Sequence, residues 1–314
     1  MADPPPVVAL FGATALGKSD VALELATLLG AEIVVADAMQ VYAGLPILTN
    51  QPGAEARRRV PHHLVGYVPP QDEYTAAEFA RHAHAAIDAV LAAGRPVVVE
   101  GGSGLYLRAA LGDLEFGAPP DAGRRRELEE RWERDPAALV AELERLAPEA
   151  AARVDVRNGR RVIRALEAAS AEPGEAAAAA ARDRLWEPGE RYPHRLFALA
   201  PDDDRTALKE RIGARVDEML AAGALDEVAA ARAAGPLSRT AAQAIGMREL
   251  CAVLDGELAL DEAAARMKAR TRALARRQIT WMRKLPAAGS VLAAGRPPAA
   301  LAGDIYHLLQ SPTW

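Results

Sequence analysis

The residues best equipped for chemistry lie near the start of the chain. Gly12, Ala13, Thr14, Ala15, Leu16, Gly17, Lys18 and Ser19 run consecutively and match the pattern GxxxxGK(S/T). Glycines at Gly12 and Gly17 let the backbone turn tightly, so that successive N–H groups converge on phosphate oxygens. A helix opening at Lys18 would add the positive potential of its N-terminus. Lys18 would set its ammonium on the terminal phosphate, and Ser19 would offer its hydroxyl to Mg2+. An apolar run over 6–11 precedes the motif and a helical stretch over 18–29 follows it, which is the context the motif needs. Nucleotide- and ATP-binding proteins use the same loop, so the motif does not say which phosphorylated molecule it holds.

A second candidate is Asp37, directly behind the apolar run 31–36 and followed by Gln40 and Tyr42. A carboxylate at the carboxyl end of a parallel strand faces the ligand crevice of an open sheet. There it could hold a metal or accept a proton from a nucleophile. Asp is equally at home capping a turn or a helix, and spacing alone leaves that reading open. Gly101-Gly102-Ser103-Gly104-Leu105-Tyr106 follows another apolar run, 96–100. It offers backbone amides and the Ser103 hydroxyl at the same sheet edge, or simply a strand–helix turn.

Charge is clustered. Between 264 and 284 stand eight basic residues (Arg266, Lys268, Arg270, Arg272, Arg276, Arg277, Arg283 and Lys284) and no Asp or Glu. Arg266, Arg270 and Arg277 share one helical face, continued by Trp281 and Lys284. Arg124-Arg125-Arg126 and Arg160-Arg161 with Arg164 form smaller clusters. One-sign clusters point to a polyanion, although a salt-bridged solvated face is the competing reading. Neither His62-His63 nor His82 with His84 shares a helical face, so no metal site is expected from them.

The elements that must position these residues alternate. Apolar runs at 6–11, 31–36, 63–68 and 96–100 read as strands, with helices over 18–29 and 75–93 and a fifth strand over 195–200. Such alternation, with nearly continuous apolar strands, predicts an α/β fold: a parallel sheet with helices on both faces. Residues 124–146 and 158–170 are charged and helical, punctuated by Asp135-Pro136 and Ala147-Pro148, and read as a helical insertion domain. Residues 172–190 read as a loop or a poorly determined helix. From 204 to about 285 the chain is helical again, and the Ala/Pro/Gly-rich tail carries one apolar stretch at 305–309. The expected division is 1–120 for the first part of the core, 121–194 for the insertion, and 195–314 for the rest of the core with its basic helices.

Composition limits the partners. In 314 residues, 38 basic against 43 acidic side chains give a net charge of −5, which excludes a uniformly basic nucleic-acid coat but not a local basic face. A single cysteine, Cys251, excludes an internal disulfide and a cysteine-built zinc site. No apolar run reaches the roughly 18 residues that span a bilayer. The first residues show neither a basic region nor an apolar stretch of the signal-peptide kind, so a cytoplasmic protein with no membrane partner is expected.

Together these residues resemble the tRNA dimethylallyltransferase family, the bacterial tRNA isopentenyltransferases. The likeness extends from the phosphate loop through Asp37-Ala38-Met39-Gln40-Val41-Tyr42, Pro61-His62-His63-Leu64 and the Gly101 to Tyr106 turn. It continues in Asn158-Gly159-Arg160-Arg161, Arg164-Ala165-Leu166-Glu167, Arg215-Val216-Asp217-Glu218-Met219, Gln243-Ala244-Ile245-Gly246 and Arg276-Arg277-Gln278-Ile279-Thr280-Trp281. The resemblance implies a P-loop core with a helical insertion. It also implies transfer of a dimethylallyl group from dimethylallyl diphosphate to N6 of the adenosine beside the tRNA anticodon, with Mg2+ as cofactor and a monomeric enzyme. By the same likeness Asp37 is the general base, and Ser103 stands beside the diphosphate where Thr is usual. The tRNA contacts fall on Asp37, Ala38, Met39, Gln40, Ser103, Arg125, Arg160, Arg161, Arg164, Gln243, Gly246 and Arg248. The chain departs from the pattern at Ala38, usually Ser, at Ile47-Leu48-Thr49-Asn50-Gln51-Pro52, and at Met247, usually Tyr. Three other readings stay open: a P-loop kinase for a small metabolite, a transferase acting on free adenine nucleotide, and a non-catalytic tRNA-binding protein.

Overall fold

Mostly apolar strands need cover on both faces, and helices supply it. The computed structural model describes residues 6–114, 116, 121–169, 189–202, 205–285, 289–293 and 295–310. In its first part β1 (Val7–Gly12), α1 (Lys18–Leu29), β2 (Glu32–Val35), α2 (Ala54–Arg59), β3 (His62–His63), α3 (Ala76–Ala92), β4 (Val97–Gly101) and α4 (Gly104–Leu111) alternate. Then come α5 (Ala122–Arg134), α6 (Pro136–Leu146), α7 (Pro148–Arg153) and α8 (Gly159–Ala169). The chain continues with β5 (His194–Ala200), α9 (Thr206–Ala221), α10 (Ala224–Ala233), α11 (Met247–Leu254), α12 (Leu260–Met282), β6 (Gly289–Leu292) and α13 (Pro298–Gln310).

The six strands form one sheet in the order β3-β2-β4-β1-β5-β6, every neighbouring pair parallel. Every residue of β1 is buried. Val8 and Leu10 join a core with α1, α12 and α13, through Val21, Leu25, Ile279 and Ile305. The pleat sends Val7, Ala9 and Phe11 to the other face. Gly101 closes β4 against β2: a Cβ there would collide with the Ala36 carbonyl oxygen. Backbone cannot yield as a side-chain tip can. Gly101→Ala should therefore destabilise the protein by about 1–3 kcal/mol, read as a lowered denaturation midpoint.

The ends of the helices follow local rules. The N–H of Gly30, at φ 63°, caps α1. Thr75 and Glu78 form a capping box on α3, with Thr75 Oγ1 accepting from Glu78 N at 3.2 Å and Glu78 Oε2 accepting from Thr75 N at 2.8 Å.

Several expectations are corrected. The run 63–68 is not a strand throughout: only His62 and His63 pair with β2, because Leu64 (φ 65°) and Gly66 (φ 63°) turn the backbone out of extension. The stretch 124–146 breaks where the Asp135-Pro136 punctuation places it: Asp135 Oδ1 accepts from Ala138 N at 3.1 Å and Pro136 opens α6. The tail carries β6 and α13, whose Leu301, Ala302, Ile305 and Leu309 are buried in the main core. The reading of 172–190 falls on 172–188, outside the described residues, except for its last two positions.

The chain divides into two compact units, 1–112 with 190–314, and 113–189. Residues 190–193 belong with the sheet, not with the insertion: Arg191 N donates to Leu111 O at 3.0 Å and the Tyr192 hydroxyl to Asp88 Oδ1 at 2.7 Å. The insertion packs α5 to α8 around Leu128, Leu139, Leu143, Val162 and Leu166. Among the described residues no helix is long and apolar enough to cross a membrane.

Candidate active site

At the carboxyl ends of β1, β2 and β4 lies a cavity of about 740 Å³. The phosphate loop forms one wall, with Gly12, Ala13, Thr14, Ala15, Gly17, Lys18 and Ser19 all lining it. Leu16 does not line it; its side chain is buried in the core and anchors the loop from behind. Gly17 precedes α1 at φ 75°, a left-handed conformation that suits glycine. Another anchor comes from far along the chain, where buried Gln278 on α12 accepts from the Thr14 N–H through Oε1 at 2.8 Å.

Lys18 is held before any phosphate arrives. Its ammonium is ion-paired with Glu100, the last charged residue of β4, whose side chain is 2% exposed. The Ser19 hydroxyl donates to the other Glu100 oxygen at 3.2 Å. Sequence reasoning missed Glu100, although the signal is of the same kind as for Asp37: an acid ending an otherwise apolar strand, Val97-Val98-Val99-Glu100. Arg215 on α9 stands out in the sequence only as part of a motif, with no role of its own. It lines the cavity, half-buried, and its side chain has no hydrogen-bond or ion-pair partner among the described residues. Burial pushes its pKa down from the ordinary arginine value, while Asp37 and Asp20 work the other way. Arginine stays protonated through such a shift, so Arg215 brings to the cavity a cation that no direct ion pair holds.

Asp37 combines both readings of its position. Its Oδ1 accepts from Met39 N at 2.8 Å and from Gln40 N at 3.3 Å, which makes the turn. The same carboxyl lines the cavity, beside Ala38, Met39 and Gln40. Gln40 is 6% exposed and its Oε1 is a buried acceptor without a partner among the described residues. A ligand N–H is the natural group to satisfy it. Ser103 precedes α4, yet its hydroxyl makes no capping bond and lines the cavity. Gly104 behind it admits the Trp281 ring, which would collide with a Cβ.

Gln243 lines the same cavity, held by a bond from Nε2 to the Arg239 carbonyl at 3.1 Å. Gly246 takes φ 101°, and a Cβ there would stand 2.7 Å from Leu48 and Met267 side-chain atoms. Arg248 is exposed on the first turn of α11 and does not line the cavity. In the departing segment, Leu48, Thr49 and Asn50 line the cavity, while Gln51 is structural: its Nε2 donates to Tyr42 O at 2.7 Å. His62 and His63 are structural too, with His62 Nδ1 2.8 Å from Val60 O and His63 Nε2 2.5 Å from Glu32.

The basic stretch is partly neutralised by carboxylates from its own helix and from other elements. Lys268 pairs with Asp217, Arg270 with Glu249 at 2.8 Å, and Arg266 with Glu262 within its own helix. Exposed Arg277 lines the cavity and makes no such pair among the described residues. In the insertion, Arg125 grips Glu167 with two bonds of 2.7 and 2.6 Å, and Arg164 reaches the same carboxylate at 3.1 Å. Arg160 and Arg161 are exposed, and their side chains make no hydrogen bond or salt bridge among the described residues. The four arginines thus divide into Arg125, which ties α5 to α8 through Glu167, Arg164, which pairs with the same carboxylate within α8, and two whose side chains are free to meet an anion.

A phosphate loop opening the first helix of a parallel sheet, with acids on the neighbouring strand ends, defines a P-loop protein. The family profile described as IPP transferase matches residues 40–285. The chain belongs to this family. It is 43% identical over 282 residues to the tRNA dimethylallyltransferase of Nocardioides sp. (strain ATCC BAA-499 / JS614), covering 90% of this chain and 89% of that one. It is 41% identical over 280 residues to the protein of the same name from Geobacter metallireducens, covering 88% and 89%. Among solved structures, the full-length tRNA isopentenylpyrophosphate transferase of Bacillus halodurans superposes with a TM-score of 0.69 at 32% identity, covering 97% of this chain and 96% of that one. A eukaryotic dimethylallyltransferase acting on tRNA gives 0.71 at 26% identity, covering 88% and 69%.

Proposed function

We propose that this protein transfers a dimethylallyl group from dimethylallyl diphosphate to N6 of the adenosine next to the anticodon in tRNA. The observation that carries the reading is one cavity in which a phosphate loop, a strand-end carboxylate and unpaired arginine meet. Lys18, the amides of the loop and Arg215 bind the diphosphate and stabilise the charge that develops on it as it leaves. N6 attacks the first carbon of the dimethylallyl group, the carbon–oxygen bond breaks toward diphosphate, and the N6 proton passes to Asp37. Gln40 Oε1 and the Ser103 hydroxyl hold the amine in line. The donor set of the cradle, a serine hydroxyl beside a carboxylate, fits Mg2+, a hard cation that prefers oxygen. When bound there, Mg2+ neutralises charge on the diphosphate.

Leu48, Ile245, Met267, Leu274 and Trp281 give the prenyl chain an apolar wall. At about 740 Å³ the cavity is in the upper part of the range usual for small-ligand sites, roughly 300–1,000 Å³. That leaves room for a base beside the donor, as required when the reacting amine must leave a stacked anticodon loop. Incubation with dimethylallyl diphosphate and unmodified tRNA, followed by nucleoside mass analysis, tests the reading. A prenylated adenosine in tRNA supports it. Product only from free adenine nucleotide, or transfer of phosphate from a nucleoside triphosphate, would replace it.

The acceptor is a polyanion, so its affinity should fall steeply with salt as bound counterions are released. Replacing Arg160 and Arg161 by Ala should weaken tRNA binding and flatten the salt slope by about one for each phosphate no longer neutralised. Pyrophosphate affinity should stay unchanged. Arg125→Ala should instead lower stability, because it leaves Glu167, with a side chain 6% exposed, short of its main partner. Binding measured at several salt concentrations separates the two; an unaltered slope in the double variant would make Arg160 and Arg161 an ordinary solvated face.

A further inference from the structure

A buried carboxylate in a phosphate cradle poses an electrostatic problem. Glu100 is 2% exposed, closes the strand beside β1, and contacts both Lys18 and Ser19. In that arrangement it neutralises the very ammonium a diphosphate needs and sets one negative charge against several others. Like charges brought this close in a site with little water repel strongly unless a cation stands between them. The Ser19 hydroxyl, 3.2 Å from Glu100 Oε1, is the position in this loop motif that ligates a divalent cation. Among the described residues no cluster of three or more His, Cys, Asp or Glu could form an all-protein metal cage. One carboxylate, one hydroxyl, phosphate oxygens and water are instead the ligand set Mg2+ takes at phosphate sites.

We propose that Glu100 is the carboxylate that recruits Mg2+ to this cradle, directly or through a bound water, so that diphosphate binds as its magnesium complex and Lys18 is released to the phosphate oxygens. The proposal rests on the reading of the cavity as a diphosphate site. It assigns Glu100 two opposite effects, attraction when the cation is present and repulsion when it is not. A residue that merely stiffened the loop would have one effect under both conditions.

The test is pyrophosphate affinity by calorimetry, with Mg2+ or with a chelator, for the wild type and for Glu100→Gln and Glu100→Asp. The wild type should bind pyrophosphate at least roughly tenfold tighter with Mg2+ than without. Glu100→Gln, which keeps the shape and loses the charge, should bind roughly tenfold more weakly with Mg2+ and several-fold more tightly in chelator. Glu100→Asp should restore the preference for Mg2+. Mn2+ in place of Mg2+ gives a second readout, since its free paramagnetic signal should be quenched by wild type plus pyrophosphate and much less by Glu100→Gln. An equal change with and without metal, or none, would overturn the assignment and leave Glu100 as a loop anchor. A wild type that binds pyrophosphate under neither condition would overturn the cradle reading itself.

Discussion

Lys18→Ala should cut prenyl transfer by roughly 10²–10³ in kcat, the usual cost of losing a preorganised charge at a leaving group. The ammonium comes from the first residue of α1 and faces the cavity with a side chain only 11% exposed. Its loss removes a cation, and it also leaves the Glu100 carboxylate without its ion-pair partner beside the diphosphate. The structure therefore places the effect toward the upper end of that range. Donor affinity should fall with turnover, because the charge acts on ground-state diphosphate as well as on the developing one. Steady-state kinetics with saturating tRNA measure both. Near-normal turnover at saturating donor would remove Lys18 from the cradle.

Asp37→Asn should lower turnover by about 10²–10⁴ while changing tRNA affinity little. The substitution is unusually clean here. The Oδ1 that accepts from Met39 N and Gln40 N has an equivalent in asparagine, so the turn that aims the side chain survives. What disappears is the basic oxygen that receives the N6 proton. Single-turnover rates with tRNA and donor both bound isolate that step. Unchanged single-turnover rates with weakened tRNA or metal binding would make Asp37 a ligand and not the base.

The site was legible in proportion to how local each part of it is. The phosphate loop could be read outright, because its donors are backbone amides of eight consecutive residues and its geometry is set by glycines within the same stretch. Asp37 and Ser103 could be placed at the cavity because each follows an apolar strand of a parallel sheet. Glu100 shares that position and escapes notice, since it reads as the polar end of a strand until Lys18 is seen across it. Arg215 looks like one more charge on an amphipathic helix. The run 63–68 is misleading because Leu64 takes a positive φ that nothing in a leucine announces. The tail shows only one apolar stretch in a background of Ala, Pro and Gly, yet its apolar residues are spaced to bury one face of α13 against the core.

The sequence by itself determined the α/β alternation, the phosphate loop and the helical insertion, because each depends on residues within a turn or two of one another. It also showed where basic residues accumulate. Only the tertiary structure decided which of those charges are available. Arg125 and Arg164 are committed to Glu167, Arg270 to Glu249 and Lys268 to Asp217, while Arg160, Arg161, Arg215 and Arg277 make no such pairs among the described residues. Lys18 meets Glu100 across 82 positions, and Thr14 meets Gln278 across 264. Charges and hydrogen bonds are satisfied by whatever packing brings within a few ångströms, and a linear pattern reaches only neighbours three or four residues away on a helix. A cluster of arginines in the chain is therefore a statement about composition, and a cationic site is a statement about which of them the fold leaves unpaired.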